Sequence, residues 1–387
     1  MRNRKNSRKL HRQADCILGI LFLVCFSLLT IINILKKDQS ISEEENRALA
    51  EKPTITADSL LNGIYMEQYE DYVSDQFAGR NFWRRLYLAW KKAGGSRKEN
   101  GVFLGKDGQL MEDITAADKE ALQKTIDSIN AFALRHSDIR TYMLLIPDSA
   151  AILTSQLPPH ASIINQPEQF SLIKNKMEPA IVWIDAVSAL QKHKTEKIYY
   201  KTDHHWTSLG AYYSFINAAK SLGIDGDFTQ AYDIYPITEN FNGVLSSTSG
   251  FCQDEQETIY VYLPKENSVS VVAHYVEEQN KRTSLYDTSK LKTKDQYALF
   301  LGGNFPLIDI KTSAAEDRKL LLVKDSFANS FIPFLVPFYQ EIVVVDPRYY
   351  AGTLEEVMNL YEITDMLYLY SGNTFLSDHN ISGVLEN

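Results

Sequence analysis

The most apolar segment of the chain lies near its N-terminus, where residues 16–35 read CILGILFLVCFSLLTIINIL without a charge. These twenty residues match the length that an α-helix needs to cross the hydrocarbon core of a bilayer. A secretory signal peptide is the alternative interpretation, but its apolar core is usually shorter, and no small-x-small cleavage site follows this segment. The pattern therefore predicts a transmembrane helix over residues 16–36.

A helical pattern of apolar positions follows over residues 62–93. Ahead of it, Ser42 and Glu45 have capping-box spacing, which predicts a helix start, and Pro53 ends that segment. Within 62–93 the apolar residues form two stripes of helical period, separated at Gly79. The stripes consist of Ile64, Tyr65, Tyr69, Tyr72, Val73 and Phe77, and of Phe82, Trp83, Leu86, Tyr87 and Trp90. We expect these side chains to pack in a core rather than to bind a ligand.

After about residue 100, short apolar strands alternate with helices. A turn sequence at 106–108 between two apolar runs predicts a small hairpin. Helices are predicted near 116–136 and 168–178 and from about 207 and 327, and strands at 139–147, 181–185, 198–200, 258–264, 268–276, 297–303, 320–323, 341–346 and 366–370. Nearly continuous apolar strands separated by helices indicate an α/β fold, with a mostly parallel sheet covered by helices on both faces.

Charge is distributed unevenly along the chain. Residues 1–15 carry six Lys and Arg residues against one Asp, a local charge of +5, so the remainder carries −14 within the formal total of −9. The basic end predicts a cytoplasmic N-terminus and an exported remainder. An acidic remainder argues against nucleic-acid binding. We expect a cytoplasmic tail at 1–15, a juxtamembrane helical segment at 37–100 and a catalytic domain at 101–387.

The cysteines place one constraint on the exported part. Cys16 and Cys25 lie inside the apolar segment, so Cys252 is the single cysteine beyond it. One cysteine cannot form an intramolecular disulfide, and the exported part must therefore be stabilised by its hydrophobic core.

A candidate nucleophile follows the predicted strand at 320–323. Lys324 and Asp325 end this strand, and Ser326 begins the helix predicted after it. In open α/β sheets, binding sites form beyond the carboxyl ends of the strands. A helix N-terminus at this point would offer backbone N–H groups and a positive dipole to an oxyanion. An ordinary helix-capping serine or aspartate is the alternative interpretation.

A candidate base lies in the sequence Asp203-His-His-Trp206, between a short strand and a helix that Thr207 or Ser208 caps. A serine hydroxyl becomes a good nucleophile when an imidazole accepts its proton and a carboxylate holds that imidazole. Residues two apart in an extended chain point the same way, which favours His205 over His204 as the base and Asp203 as its partner. A structural His-Trp pair and a metal site made by Asp203, His204 and His205 are the alternatives, the latter disfavoured because adjacent histidines point apart.

The stretch at 203–206 resembles the signature of the DHHW protein family, which is similar to the alginate O-acetylation (AlgJ- and AlgX-like) proteins of the SGNH hydrolase superfamily. Those proteins carry an Asp-x-His-Trp motif upstream of a Gly-Asp-Ser-like motif, the order found here. Further likeness lies at 45–47, 75–80, 101–105 and 346–350, so it covers most of the chain beyond the apolar segment. The resemblance implies a three-layer, SGNH-hydrolase-like (flavodoxin-like) fold with Ser326, His205 and Asp203 as catalytic residues.

The family pattern does not identify which residues of this chain donate hydrogen bonds to the oxyanion. Lys324 stands where the SGNH pattern has glycine, so the geometry of the serine turn differs or the lysine lies near substrate oxygens. SGNH enzymes use a glycine N–H and an asparagine side chain, which favours Gly303 and Asn304 over the alternative pair at 242–243. Arg348, just beyond a predicted strand, is a further candidate for binding an anionic or sugar ligand, with a structural ion pair as the alternative.

The resulting prediction is a membrane-anchored, extracytoplasmic acyl-transfer enzyme that uses neither metal nor cofactor. The resemblance implies an O-acetyltransferase that acts on a cell-surface or exported polysaccharide and receives acetyl groups through a multipass membrane acyltransferase. A carbohydrate esterase is the nearest alternative, because the same residues transfer an acyl group to water. A non-catalytic polysaccharide-binding or scaffold protein of an acetylation complex is the alternative of a different class.

Overall fold

A computed structural model describes residues 2–42, 44–45, 47–251, 256–265 and 269–386, with side chains from residue 13 onward. Cys252, the one cysteine beyond the apolar segment, lies outside the described residues. The chain forms two compact units, Met1–Ser96 and Arg97–Asn387, referred to below as the N-terminal and C-terminal units.

The N-terminal unit begins with a long helix. Its elements are α1 (Arg2–Leu35), β1 (Ile41–Ser42), β2 (Arg47–Ala48), α2 (Ala57–Leu61), α3 (Ile64–Asp75) and α4 (Arg80–Ala93). In α1, the stretch Gln13–Leu35 is long and apolar enough to cross a membrane, and none of its residues is buried. A candidate spanning helix is therefore present where the sequence predicts one.

Two predictions for this unit are wrong. Ser42 does not cap a helix: it ends the hairpin strand β1, and its hydroxyl accepts the N–H of Glu45 at 3.2 Å within a turn. A serine bonded to a nearby backbone N–H stabilises a turn as well as a helix start, so the spacing alone does not separate them. Neither apolar stripe packs in a core, because no residue of either one is buried: α3 buries only Asp75, and α4 turns its opposite face, with the buried Leu88, toward its own unit.

The C-terminal unit opens with a small sheet and continues as an α/β domain. Its strands are β3 (Lys98–Glu99), β4 (Val102–Leu104), β5 (Leu110–Glu112), β6 (Arg140–Ile146), β7 (Val182–Trp183), β8 (Tyr232–Phe241), β9 (Glu257–Pro264), β10 (Val271–Tyr275), β11 (Asn280–Arg282), β12 (Leu307–Thr312), β13 (Lys319–Lys324), β14 (Glu341–Val345) and β15 (Asp365–Ser371). Its α-helices are α5 (Lys119–Arg135), α6 (Ser149–Ile152), α7 (Gln166–Lys174), α8 (Ala186–Lys192), α9 (Ser208–Ala219), α10 (Val244–Ser249), α11 (Ile332–Leu335), α12 (Leu354–Tyr361), α13 (Gly372–Ser377) and α14 (Asn380–Leu385). The predicted hairpin at 106–108 is present as the pair β4 and β5.

The central sheet has eight strands in the order β11-β10-β12-β14-β13-β15-β6-β7. The five strands from β14 to β7 are parallel, and β12, β10 and β11 extend one edge in antiparallel fashion. The inner parallel strands are buried along almost their whole length because their sequences are nearly continuous runs of Leu, Val and Ile. The predicted α/β fold with a mostly parallel sheet is confirmed.

Helices cover both faces of this sheet. Alternate residues of β13 enter two separate cores: Leu320 and Leu322 face the first, and Leu321 and Val323 face the second. Helices α8 and α9 pack in the first core, and α5, α12 and α14 pack in the second. The arrangement brings the carboxyl ends of β13, β14, β15 and β6 to one edge of the sheet, while assignment of this layering to the SGNH superfamily stays a prediction.

Two predicted strands are absent from the described residues. The apolar run at 297–303 forms a 3₁₀ turn, Gln296–Leu299, and residues 198–200 make a single bridge between Tyr199 and Trp206. Tyr200, Tyr297, Leu299 and Phe300 instead fill a separate small core. A short apolar run predicts burial, but it does not distinguish a strand from a buried turn.

Candidate active site

Ser326 lies at the carboxyl edge of the sheet, directly beyond β13. The buried Asp325 caps the turn that Ser326 begins: its Oδ1 accepts the N–H of Phe327 at 2.9 Å. Its Oδ2 accepts both the N–H and the hydroxyl of Ser371, at the end of neighbouring β15, at 2.9 and 2.7 Å. The segment Ser326–Ser330 is one 3₁₀ turn rather than the α-helix predicted there. A single turn supplies a local N–H group but little of the predicted helix dipole.

The loop that carries Asp203 and His205 is folded back on itself. Its two ends are joined by the bridge between Tyr199 and Trp206, and the N–H of Tyr200 donates to the carbonyl of His205 at 3.3 Å. Asp203 Oδ1 accepts the backbone N–H of His205 at 3.0 Å and lies 2.5 Å from Nδ1 of the same residue. The carboxylate therefore fixes both the backbone and the ring of His205.

The loop and the serine turn meet at a hydrogen bond. His205 Nε2 lies 2.8 Å from Ser326 Oγ, so Asp203, His205 and Ser326 form one continuous chain of hydrogen bonds. The neighbouring His204 is partly exposed, and its Nδ1 lies 4.0 Å from Asp203 Oδ1. Of the two adjacent histidines, the structure brings His205 to the serine. Residues 201–205 are bent rather than extended, so the extended-chain argument does not account for this choice.

The surroundings of Asp203 and His205 determine the protonation states of these two residues. It lowers the pKa of His205 to about 4, an effect to which the neighbouring His204 adds, so the imidazole is neutral near pH 7. Burial alone would raise the pKa of Asp203, but the proximity of His205 and His204 and the ring and backbone hydrogen bonds of His205 hold it below its usual range. An ionised carboxylate only accepts, so the single ring proton belongs on Nδ1. Nε2 is then the acceptor for the hydroxyl proton of Ser326.

Asp203, His204 and His205 also form a cluster of possible metal ligands, with ligand atoms within 4.8 Å of one another. The short contact between Asp203 Oδ1 and His205 Nδ1 joins two of the possible ligand atoms to each other. A metal bound through these two atoms would replace the hydrogen bond that orients His205.

Lys324 lies beneath the serine turn and is completely buried. Its Nζ donates to Asn304 Oδ1 at 2.8 Å and to Asp346 Oδ2 at 3.3 Å. Burial lowers the pKa of Lys324, while the carboxylate of Asp346 opposes that shift. Arg348 grips the same carboxylate with two hydrogen bonds of 2.8 and 2.7 Å, which is the ion pair considered as its alternative role. Lys324 therefore contacts protein oxygens on the inner side of the site.

Gly303 and Asn304, the two candidate oxyanion donors, differ in whether their N–H groups already have an acceptor. The N–H of Gly303 donates to the carbonyl of Phe300 at 3.3 Å within a turn. Asn304 Oδ1 accepts from Lys324 and from Asn329 Nδ2, at 2.8 and 3.1 Å. Because both neighbours are donors, they hold the amide with its oxygen inward and its NH₂ group turned away from them. Asn304 lies just before the antiparallel strand β12. The first residue of β12 pairs with the last residue of β14, so Asn304 lies near the carboxyl end of β14.

The sequence also matches a known protein family: residues 124–345 fit the model of a family described as DHHW protein. The chain belongs to the DHHW family. A comparison with curated proteins finds no match.

Three solved structures resemble this DHHW protein. A DHHW family protein from Eubacterium siraeum DSM 15702 has 23% identity and a TM-score of 0.65 over 75% of this chain and 96% of its own. Bacillus cereus PatB1, solved with a sulfonyl adduct, has 20% identity and a TM-score of 0.61 over 72% of this chain and 97% of its own. The O-acetyltransferase domain of Pseudomonas putida AlgJ has 13% identity and a TM-score of 0.46 over 73% and 95%. The first two establish a shared fold.

Behind the Asp-His-His-Trp stretch of this DHHW protein lies a support that its sequence does not reveal. The N–H of Val244 donates to Asp203 Oδ2 at 3.0 Å, and the N–H of Gly243 donates to the hydroxyl of Thr202 at 2.9 Å. That hydroxyl donates in turn to Glu257 at 2.6 Å. The N–H of Gly243, in the alternative oxyanion pair, is thus committed to holding the Asp203 loop.

Tyr297 is a second unpredicted component. Its ring stacks on the imidazole of His205, with centroids 3.7 Å apart and planes 9° from parallel, and its hydroxyl donates to Ser330 Oγ at 3.0 Å. The stacking limits rotation of the imidazole and excludes water from one of its faces. In the sequence, Tyr297 is visible only as part of an apolar run, which signals burial and nothing about His205.

Proposed function

We propose that this DHHW protein is an acyl-transfer enzyme in which Ser326 is the nucleophile, His205 the general base and Asp203 the residue that orients His205. The observation that carries the proposal is the continuous hydrogen-bond chain from Asp203 through His205 to Ser326 Oγ. The three residues are the components that serine acyl transfer requires. Their convergence favours an enzyme over a scaffold that merely retains the fold.

The proposed reaction has two halves. Ser326 Oγ attacks the carbonyl carbon of an acetyl ester while its proton passes to His205 Nε2, and Asp203 stabilises the imidazolium that forms. The C–O bond to the leaving group then breaks, and that alcohol takes the proton from His205. An acceptor hydroxyl repeats these steps in reverse on acetyl-Ser326. The N–H of Ser326 and the NH₂ group of Asn304 are the proposed donors to the oxyanion.

The proposed acceptor is a hydroxyl of a cell-surface or exported polysaccharide, and the proposed acetyl supplier is a multipass membrane acyltransferase. This part rests on the resemblance to alginate O-acetylation proteins, whose motif order the chain shares. The candidate spanning stretch Gln13–Leu35 of α1 and the basic residues before it support an anchored protein with a cytoplasmic N-terminus. Hydrolysis, which would make the protein an esterase, differs only in using water as the acceptor.

Release of p-nitrophenol from p-nitrophenyl acetate by the purified full-length protein tests the chemistry. We expect activity that Ser326→Ala and His205→Ala both abolish, while His204→Ala, the matched neighbouring histidine, keeps most of it. A sulfonyl fluoride should also label Ser326, which peptide mass spectrometry would locate. Equal activity in the wild type and both site variants would refute the proposed nucleophile and base.

Adding an acceptor separates the two acyl-transfer functions. With a short, unacetylated oligosaccharide present, a transferase should form acetylated sugar at the expense of free acetate, as measured by mass spectrometry. If acetate remains the only product at every sugar concentration and with every sugar tested, the esterase function is favoured.

A further inference from the structure

One side of α4 presents an exposed aromatic face in the N-terminal unit. Five large side chains lie along one side of this helix and have exposed fractions between 46% (Trp83) and 73% (Trp90): Phe82, Trp83, Leu86, Tyr87 and Trp90. Scattered exposed apolar residues are normal, but a continuous stripe with two tryptophans marks a surface that contacts something apolar.

The other side of α4 is occupied by its own unit. Arg84 Nε lies 2.9 Å from Glu45 Oε1, and Arg80 Nη2 lies 2.7 Å from Glu45 Oε2. Leu88, on the same side as Arg84, is buried. The contacts fix the rotation of α4 about its axis, so its aromatic face points away from the rest of the N-terminal unit.

The start of α4 is attached to the end of the candidate spanning helix. In the turn between α3 and α4, the N–H of Ala78 donates to Asn33 Oδ1 at 2.7 Å, and the carbonyl of Gln76 accepts from Lys36 Nζ at 3.3 Å. Gln76 Oε1 also accepts the N–H of Gln39 at 3.0 Å. Asn33 is two residues from the end of α1, roughly 3 Å along the helix axis. The start of α4 is therefore at the level where α1 would leave the hydrocarbon core.

We propose that α4 lies in the headgroup layer of the membrane that α1 crosses, with its aromatic face inserted toward the acyl chains. Trp and Tyr concentrate at this depth because each has an apolar body and a polar edge, and amphipathic helices with one apolar and one charged face bind there. The proposal rests on the proposed anchoring by α1 and is independent of the acyl-transfer chemistry. The aromatic face then contacts lipid rather than another protein.

Tryptophan fluorescence tests this contact in the full-length protein reconstituted alone into phosphatidylcholine vesicles. The chain has four tryptophans, Trp83, Trp90, Trp183 and Trp206, and none lies in α1. Bromine atoms on the lipid chains quench only indoles that touch them. We expect brominated lipid to reduce the emission of the wild type and to have little effect on the double variant Trp83→Phe, Trp90→Phe.

Two results would overturn the proposal. If brominated lipid quenches the wild type no more than the double variant, the aromatic face does not contact lipid and is covered by protein instead. If alkaline carbonate extracts the wild type from the vesicles, α1 is not an anchor, and the lipid contact of α4 fails with it. Hydrolysis of p-nitrophenyl acetate by the same preparation shows separately whether the acyl-transfer site is intact.

Discussion

The indole N–H of Trp206 donates to the backbone carbonyl of Phe327 at 3.0 Å. Each residue directly follows a site residue, since Trp206 follows His205 and Phe327 follows Ser326. The same N–H also lies 2.9 Å from Ser330 Oγ. One buried side chain therefore joins the loop that carries the proposed base to the turn that carries the proposed nucleophile.

Trp206→Phe should remove this link while it preserves most of the apolar volume. The carbonyl of Phe327 would lose a donor in a buried site, which typically costs about 1–3 kcal/mol. We expect lower stability in urea unfolding and a fall in kcat for p-nitrophenyl acetate that exceeds any change in KM. Trp183→Phe, which lies in the edge strand β7, is the control. A Trp206→Phe protein with wild-type kcat would show that the link does not position the site.

Asp203→Asn tests the assignment of the ring proton. An amide in this place can donate to His205 Nδ1, which favours the tautomer with its proton on Nε2 and leaves no acceptor for the Ser326 hydroxyl. A wrong tautomer costs on the order of 10⁴ in kcat in serine hydrolases. We expect a loss of that order near pH 7 while circular dichroism shows an intact fold. A loss below tenfold would mean that Asp203 does not control the tautomer.

The sequence predicts the chemistry-bearing segments better than their surroundings. The strand before Ser326 is predictable because a nearly continuous apolar run ends abruptly at polar residues, and the carboxyl ends of parallel strands lie at one edge of the sheet. The loop after residue 200 is predictable from its Asp-His-His-Trp motif instead, since the run at 198–200 forms no strand of the sheet. The roles of Tyr297 and Glu257 cannot be predicted from the local sequence. Their roles depend on contacts with His205 and Thr202 across long stretches of chain, and nothing in the local pattern encodes such distances.

The environment of Lys324 also could not be predicted from the local sequence. A lysine at the end of a buried strand suggests a side chain that reaches out to substrate, because lysine is rarely buried completely. The structure instead pairs it with Asp346 beneath the site. Only the position of Asp346 and Arg348 on the adjacent strand end makes this burial possible.

Lys324→Met should therefore act through Asn304. The variant leaves Asp346 paired with Arg348, so we expect a moderate loss of stability, about 1–3 kcal/mol. Asn304 Oδ1 would lose its cationic donor and keep only the longer bond from Asn329 Nδ2, so its amide would be held less firmly, which should lower kcat more than it raises KM. Lys319→Met, at the opposite end of the same strand, is the control. Unchanged kcat in Lys324→Met would exclude a positioning role for Lys324.

The pH dependence of the reaction tests the environment of His205. Burial lowers the pKa of this imidazole to about 4, so the proposed base is already neutral at mildly acidic pH. We expect kcat/KM for p-nitrophenyl acetate to stay level from neutral pH downward and to fall with a midpoint near 4 rather than near the ordinary value of about 6.5. A midpoint near 6.5 would contradict a buried imidazole.

The same shift predicts how stability depends on pH. The unfolded chain binds the proton of His205 near pH 6.5, whereas the folded protein binds it only near pH 4. The unfolded state therefore binds more protons within this window, and stability should fall as the pH is lowered through it, by up to about 3 kcal/mol from this residue. Comparing urea unfolding of the wild type and His205→Ala at several pH values isolates the contribution, since the variant should lack this slope.

Gly243→Ala tests the support behind Asp203 without altering any proposed catalytic side chain. A Cβ atom at position 243 would lie 2.3 Å from Cβ of Asp203 and 2.5 Å from its Oδ2, so the carboxylate would have to move. Because Asp203 holds His205 by a hydrogen bond of 2.5 Å, even a small displacement should disturb the alignment of His205 with Ser326. We expect at least a hundredfold loss of kcat. Gly383→Ala, in α14, is the matched control because its Cβ would meet no atom within 4 Å. If Gly243→Ala retained the activity of Gly383→Ala, the position of Asp203 would not limit the reaction, and the proposed role of Asp203 would have to be abandoned.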